Sequence, residues 1–382
     1  QSGQAYLFTS IGTAYSNQGD YAKALRFYQQ GLTIQQTIGD RSAEGHTLNS
    51  IGTAYDNLGQ ITKATTYYQQ ALAIRREIGD RAGEARTLTN LGGVYDSLKQ
   101  PDRALMFYQQ ALAIRRKIGD RAGEGITLNS LGLTYSELGQ KQQAQTLYQQ
   151  ALTIHQTTGD RAREGETLNN LALIHEQLNQ PQQAIAQYQQ ALGILRDIGD
   201  RAGERLVLSN LGALLARQNQ PQQAIVFYKQ SVNITESIRQ DLKTLSRQEQ
   251  ETYTQTVATT YRALADLLLA QGRILEAQQV LELLKVQELQ NFTRESEMGT
   301  RLARVVFNPT EEKILQQHGT LIAFGQQVET CKQTRCQRLS QLNDQLQALT
   351  QEYNQTVTTL EKEIRQRRAE DDAFLDPVKL VP

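Results

Sequence analysis

The sequence predicts an all-α protein: a right-handed superhelix of stacked helix pairs, an α-solenoid, followed by an antiparallel, coiled-coil-like helical hairpin. Three observations predict this fold. A 40-residue period runs through the first 240 residues, apolar residues within each period recur three and four positions apart, and two further apolar stripes of helical spacing follow near the C-terminal end. A single helix pair cannot bury its apolar face, so such units stack in one dimension.

Composition argues against several classes of function. The chain has 382 residues, with 40 Lys and Arg against 40 Asp and Glu, so no basic excess attracts nucleic acid. No apolar run approaches the roughly 18 residues of a membrane span, and the N-terminus lacks a secretory signal. We therefore expect a cytoplasmic protein that binds a protein or peptide, with no nucleic acid and no membrane. Because the chain opens at Gln1 rather than Met, we expect a piece of a longer protein.

The repeat comprises six units in residues 1–240. In the third unit Leu91 and Gly92 precede Tyr95, and Ala104 and Tyr108 follow it. The register position of that first tyrosine is occupied in successive units by Tyr15, Tyr55, Tyr95, Tyr135, His175 and Leu215. A glycine inside a helix costs about 1 kcal/mol relative to alanine. Its return beside the leucine therefore predicts that the two helices of each unit approach closely there.

Helix starts and stops are also repeated. Gly79 and Asp80 stand between the second and third units, where glycine suits a left-handed helix end and aspartate caps the next helix. Pro101, Pro181 and Pro221 stand where the second helix of a unit would begin, a position that tolerates a missing N–H. Each unit is therefore predicted to be two helices joined by short turns.

The spacing of leucine, glycine, tyrosine and alanine resembles the tetratricopeptide repeat family. At 40 residues the units are longer than the common 34, and in this they are similar to the repeats of kinesin light chains and of spindle-orientation adaptors. The resemblance implies a protein-interaction scaffold that binds an extended peptide or a partner protein in a concave groove.

Residues 241–298 are predicted to form a divergent seventh unit that caps the stack. Leu264, Ala265 and Leu268 restore the internal spacing, but their register is shifted by 13 residues relative to the 40-residue period. A long helix from about residue 221 to residue 245 would absorb this insertion. An atypical last unit is what a solenoid needs at an exposed end.

Residues 299–382 are predicted to form the helical hairpin and a linker toward a missing C-terminal domain. Asn308 and Glu311 have the spacing of a capping box around Pro309. The second arm carries apolar residues at nearly heptad spacing, namely Leu339, Leu342, Leu346, Leu349, Tyr353, Val357, Leu360 and Ile364. The sequence leaves open whether the hairpin projects or lies along the solenoid, and whether its seam forms a dimer.

A second resemblance covers residues 283–289, the hairpin and residues 376–381. Together they resemble the region before the peptidase domain in bacterial CHAT proteins, the caspase-like family associated with tetratricopeptide repeats. The resemblance implies that this chain is the substrate-recruiting or regulatory region of a caspase-like cysteine peptidase, in contact with that domain in the same polypeptide. The alternative is a free-standing adaptor with no peptidase.

Polar pairs just before the leucine and glycine of each unit are the best candidates for the groove. The asparagines among them are Asn49, Asn90, Asn129, Asn169, Asn170 and Asn210. An asparagine amide offers both a donor and an acceptor, which suits binding to the backbone of an extended peptide. The alternative is an ordinary polar helix face.

Charged residues on the same face suggest the character of the partner. We expect Asp56, Asp96 and Glu176 in the groove, opposed by Arg86, which favours a partner segment with Lys or Arg. A solvated charged face is the ordinary alternative.

Catalytic, metal and cofactor sites are not expected. A nucleophilic dyad needs Cys and His within hydrogen-bond reach, whereas His318 and Cys331 would be roughly 20 Å apart along one helix. The four histidines show no metal-binding spacing. Cys331 and Cys336 form either a disulfide at the hairpin tip or two reduced thiols, and both interpretations stay open.

Overall fold

The structure is a computed structural model that describes residues 1–241, 247–290 and 304–374. All the regular elements in these ranges are α-helices, which confirms the predicted fold class. In chain order they are α1 (Ser2–Asn17), α2 (Tyr21–Ile38), α3 (Arg41–Asn57), α4 (Ile61–Glu77), α5 (Arg81–Ser97), α6 (Pro101–Ile118), α7 (Arg121–Glu137), α8 (Lys141–Thr158), α9 (Arg161–Gln177), α10 (Pro181–Asp197), α11 (Arg201–Arg217), α12 (Pro221–Asp241), α13 (Arg247–Ala270), α14 (Ile274–Gln290), α15 (Pro309–Thr334) and α16 (Leu339–Phe374).

The chain divides into two compact units, Gln1–Arg163 and Glu164–Pro382, called the N-terminal and C-terminal units below. Odd-numbered helices up to α13 are the first helices of the pairs, and even-numbered helices up to α14 are the second. Helix α12 is described as far as Asp241, and the last residues of the long helix predicted there, 242–245, lie outside the described residues. The predicted linker motif at 376–381 also lies outside them.

The helix ends follow the repeated glycine, aspartate and proline. Gly79 has φ 72°, and the Asp80 carboxylate accepts a hydrogen bond from the backbone N–H of Gly83 at 2.8 Å, at the start of α5. Pro101 and Pro181 begin α6 and α10. These observations confirm the local predictions. The physical reason is that glycine tolerates a positive φ and that an aspartate side chain can satisfy the free N–H groups of a helix start.

In five of the six repeat pairs, the glycine predicted to mark a close approach lies against a buried tyrosine. A Cβ atom added to Gly52 would fall 2.7 Å from Cδ1 of Tyr68, closer than carbon atoms can pack. Tyr68 is only 1% exposed, and burying a side chain of that size contributes about 2 kcal/mol. The glycine therefore makes room for a large buried side chain.

Successive first helices are joined by hydrogen bonds between residues 38 positions apart. In the N-terminal unit Thr9 pairs with Thr47 at 3.3 Å, and Thr87 donates to Asn49 at 3.0 Å. In the C-terminal unit Ser209 on α11 pairs with Thr260 on α13 at 2.9 Å, across 51 positions. The separation is 13 residues longer, and this equals the register shift read from the sequence for the seventh unit.

The C-terminal hairpin consists of α15 and α16. Asn308 and Glu311 form the predicted capping box at the start of α15, and Arg335 ends that helix in the left-handed region. Cys331 and Cys336 lie at the tip with Cα atoms 4.9 Å apart. Cys331 packs with Val328 and Leu342.

The hairpin lies along the second helices α10 and α12 rather than projecting. A Cβ added to Gly193 on α10 would fall 2.9 Å from Cγ2 of Ile322 on α15. Val226 on α12 packs in one cluster with Ile314 and Leu360. The contact between hairpin and repeats is therefore a packed part of the C-terminal unit.

Candidate functional site

The first helices of the N-terminal unit present one accessible face, which we call the first-helix stripe. Its members lie at corresponding positions in neighbouring repeats, and all are half-buried or exposed. They are His46, Ser50 and Thr53 on α3, Arg86, Asn90 and Gly93 on α5, and Ile126, Ser130 and Leu133 on α7. Spacings of four and three residues place each trio on one side of its helix.

The asparagines predicted to line the groove fall into two positions. Asn49 is 8% exposed, and its Oδ1 accepts from Thr87 at 3.0 Å and from Nδ2 of Asn90 at 3.3 Å. In the C-terminal unit, Oδ1 of Asn169 accepts from Nδ2 of Asn210 at 2.9 Å. Asn49 and Asn169 therefore join adjacent first helices, whereas Asn90 and Asn210 lie on the accessible side.

Because Nδ2 of Asn90 and of Asn210 is held by the preceding repeat, the orientation of each amide is fixed. Among the described residues no hydrogen bond to Oδ1 of Asn90 or of Asn210 is formed, so both oxygens can accept from a ligand. Asn129 and Asn170 are half-buried and have interactions within the chain.

The predicted acidic residues differ in how they are paired. Asp96 accepts hydrogen bonds from the Tyr108 hydroxyl and the Thr134 hydroxyl, each at 2.9 Å. Partial burial raises the pKa of Asp96 and also that of Asp56. In the C-terminal unit Glu176 accepts from the Tyr188 hydroxyl at 2.5 Å and pairs with Arg217. Glu176 is thus neutralised by a cation, whereas the partners of Asp96 are neutral hydroxyls.

Arg86 is exposed, and it lies close enough to Arg75 and His46 to act on both electrostatically. Burial, helped by the positive charge of Arg86, lowers the pKa of Arg75 to about 10. Burial is also the main cause that lowers the pKa of His46. Arg86, near the N-terminal end of α5, is therefore the positively charged member of the stripe.

Gly93 is a member of the stripe that the sequence analysis did not single out as a site residue. Gly93 occupies the position of Thr53 and Leu133 in the neighbouring repeats, and a Cβ added to it would meet only the Tyr108 hydroxyl, at 3.7 Å. Its signal was a second glycine next to the repeated Gly92. This second glycine has no close neighbour that requires it, in contrast to Gly52.

Cys331, Cys336 and His318 belong to the C-terminal hairpin. Cys331 and Cys336 are at disulfide distance in the structure, and the disulfide itself stays a prediction. His318 is buried on α15 between Phe227 and Tyr353, with ring centroids 4.6 and 6.1 Å away. In the described ranges, no three His, Cys, Asp or Glu side chains are grouped so as to hold a metal ion. None of the helices described is both long and apolar enough to cross a membrane.

Comparison with known proteins supports the fold. The tetratricopeptide repeat family matches residues 3–77, 44–117, 83–157, 124–197 and 163–237. No curated protein matches the chain at a significant level.

Solved structures with similar folds cover most of the chain. The apo form of RapI has 16% identity and a TM-score of 0.55, over 74% of this chain and 97% of that one. A signal transduction ATPase with numerous domains from Pyrococcus horikoshii, which carries a tetratricopeptide repeat sensor, has 20% identity and a TM-score of 0.56, over 75% of this chain and 42% of that one. The repeats of a putative kinesin light chain from Podosopora anserina have 19% identity and a TM-score of 0.44, over 52% of this chain and 98% of that one.

Proposed function

Because this chain belongs to the tetratricopeptide repeat family, whose repeats form a non-catalytic protein-interaction scaffold, we propose that its first helices bind an extended segment of a partner protein. The observation that carries the proposal is the fixed orientation of Asn90 and Asn210, whose amide oxygens are left as acceptors. An extended segment has backbone N–H groups that need such acceptors when they leave water.

The chain itself contains an example of this kind of binding. Asn233 on α12 accepts a hydrogen bond from the backbone N–H of Val305 at 2.7 Å and donates to the carbonyl oxygen of Val305 at 3.0 Å. Val305 belongs to a non-helical stretch and is 2% exposed. An asparagine on a repeat helix can therefore bind both polar groups of one residue in a non-helical segment. This supports the same role for Asn90 and Asn210.

In its finer form, the proposal is that these repeats recruit or regulate the substrate of a caspase-like peptidase of the CHAT type in the same bacterial, cytoplasmic polypeptide. The resemblance of residues 283–289 and 376–381 to that family supports it. The signal transduction ATPase gives a further parallel, because its repeats are described as a sensor within a much longer chain. The similarity to nearly the whole of RapI favours the alternative, an adaptor that acts without an attached enzyme.

Selection of random linear peptides on the full chain, followed by affinity measurement, tests the groove. Asn90→Ala and Asn210→Ala should each weaken, by about fivefold to tenfold, the selected peptides that bind at that asparagine, since a net hydrogen bond is worth about 1 kcal/mol. Alanine is the better helix former, so lost folding would not explain the result. Asn57→Ala is the matched control, because Asn57 is exposed at the end of α3 and donates only to the Thr53 carbonyl. Equal affinity for all three variants would contradict the proposal.

The intact mass of the native gene product separates the peptidase region from the adaptor. A product far heavier than the 42.9 kDa of this chain, labelled by a thiol-directed activity probe, is expected for the peptidase. A product near this mass would leave the adaptor.

A further inference from the structure

Gly93 creates a hollow in the first-helix stripe of the N-terminal unit. The residues at the same position in the adjacent repeats are Thr53 and Leu133, and Leu133 is 47% exposed. Gly93 has no side chain to fill its place, and a Cβ there would contact only the Tyr108 hydroxyl. The position of the missing side chain is therefore open, and the corresponding residue of α7 is an exposed leucine.

Polar groups form the floor of the hollow. In the first two repeats the tyrosine hydroxyl donates to the residue at the Gly93 position: Tyr28 to Thr13 at 3.3 Å and Tyr68 to Thr53 at 3.0 Å. Gly93 offers no such acceptor. The Tyr108 hydroxyl donates instead to Asp96, one turn further along α5, at 2.9 Å.

Thr134 on α7 donates to the same carboxylate. Glycine at position 93 thus redirects the tyrosine and leaves a carboxylate beside an open space.

Within the described part of the chain, no cationic side chain is hydrogen-bonded to Asp96. Its hydrogen-bond partners are neutral hydroxyls, and the cation that acts on it is Lys99. The Lys99 ammonium group is hydrogen-bonded to Glu137 at 3.3 Å, and the side chain is 77% exposed. Asp56 lies at the corresponding position on α3, where burial raises its pKa. A half-buried carboxylate in this setting is stabilised by a cation that enters from outside.

We propose that the hollow at Gly93 receives a lysine or arginine side chain of the bound partner segment, with its aliphatic stem against Leu133 and its charged end on Asp96. This inference rests on the proposed function, since it identifies a side-chain subsite for the segment held by Asn90. Long basic side chains combine an apolar stem with a charged head, which matches a leucine wall and a carboxylate floor. Asn90 lies one turn before Gly93, so the backbone of the segment and its basic side chain contact the same helix.

The experiment compares peptides selected from a random linear library on the full chain with peptides selected on Gly93→Leu. We expect one position enriched in Lys or Arg on the native chain and lost on Gly93→Leu, which fills the hollow. Gly325→Leu is the matched control, because Gly325 is also a helical, half-buried glycine with open space at its Cβ.

Affinity measurements then locate the charge. For a selected peptide we expect Asp96→Asn to weaken binding about tenfold at low salt, because a hydrogen bond to a charged group is worth about 1.5–3 kcal/mol and 1.4 kcal/mol is tenfold. Asparagine keeps an oxygen for the Tyr108 and Thr134 hydroxyls, so folding is maintained. Replacing the peptide's basic residue by norleucine should weaken its binding to the native chain by the same factor. The same replacement should change its binding to Asp96→Asn little.

The outcomes separate this inference from the proposed function. Selected peptides that depend on Asn90 but show no basic position, or that bind Gly93→Leu as well as the native chain, would overturn the inference and leave the groove intact. Selection of no peptide at all would overturn both. Basic enrichment that is lost on Gly93→Leu and kept on Gly325→Leu is the supporting result.

Discussion

Four charges in the C-terminal unit meet where α12, α14 and α15 join. Lys229 and Glu311 are 0% exposed, and the Lys229 ammonium donates to Glu276 at 2.6 Å and to Glu311 at 2.9 Å. Arg273 donates to the same two carboxylates at 2.6 and 2.7 Å. The cluster has two positive and two negative charges, and a third donation from Lys229 reaches the Val306 carbonyl at 2.9 Å.

Lys229→Met should therefore destabilise the attachment of the hairpin. The substitution keeps the volume of the side chain but leaves two carboxylates with one cation, so one negative charge stays buried without compensation. Removal of one partner from a buried ion pair costs about 3–5 kcal/mol. The double variant Lys229→Met/Glu311→Gln restores neutrality. We expect its loss of unfolding free energy to be smaller, by about 1–3 kcal/mol, than the sum of the losses in the two single variants.

Hydrogen exchange of the α15 amides, read by mass spectrometry, reports this effect locally. In Lys229→Met the hairpin should open more often, so the α15 amides should exchange faster than in the native chain. The amides of α3 and α5 should keep their protection. Lys332→Met is the control, because Lys332 is 54% exposed and lies 3.7 Å from Glu329, and such a pair is worth less than about 1 kcal/mol. A cost below about 1 kcal/mol for Lys229→Met, or strict additivity in the double variant, would refute the reasoning.

Three further predictions concern other parts of the fold. Gly193→Leu should displace α15 from α10 and expose the hairpin to limited proteolysis, since even a Cβ would meet Ile322 at 2.9 Å; Gly325→Leu should leave the digestion pattern unchanged. Burial lowers the pKa of His318 to about 3, so the unfolded chain binds a proton near pH 6.5 that the folded chain does not. Stability should fall by about 1.4 kcal/mol per pH unit below that value, and urea unfolding at pH 7 and pH 5 should show this loss reduced in His318→Phe. Burial raises the pKa of Asp56, so its charge costs stability above its folded pKa; Asp56→Asn should raise the unfolding temperature at pH 7 and have little effect near pH 3.

The helix boundaries were predictable because their causes are local. Gly79, Asp80 and Pro101 act on their own turn of the chain through φ, a capping carboxylate and a missing N–H. The capping box of Asn308 and Glu311 spans three residues and was recognised for the same reason. The register of the seventh unit followed from the apolar spacing in α13, and the Ser209 to Thr260 hydrogen bond lies at the corresponding distance along the chain.

The roles of individual asparagines could not be read from the period. Asn49 and Asn90 are the same residue type in the polar pairs of two successive first helices, Asn49 in the first position of its pair and Asn90 in the second. Their difference depends on Thr87, which comes 38 residues after Asn49 and donates to it. A one-residue change in position turns a side chain by about 100° around the helix, and this decides whether it meets the next repeat or the solvent. The position of the hairpin also depended on distant contacts, between Gly193 and Ile322.

Departures from the repeat explain where the chain makes contacts outside its own helix pair. Ala73 and Ala113 give way to Gly193 and Asn233 at the same repeat position of α10 and α12, and each departure has a structural partner: Ile322 fits over Gly193, and Asn233 binds Val305. Gly93 is a departure of the same kind in the N-terminal unit, but within the described residues only the Tyr108 hydroxyl lies near its missing side chain. A helix interior that accepts the roughly 1 kcal/mol cost of glycine without an internal contact to require it has the property expected of a site filled by another molecule.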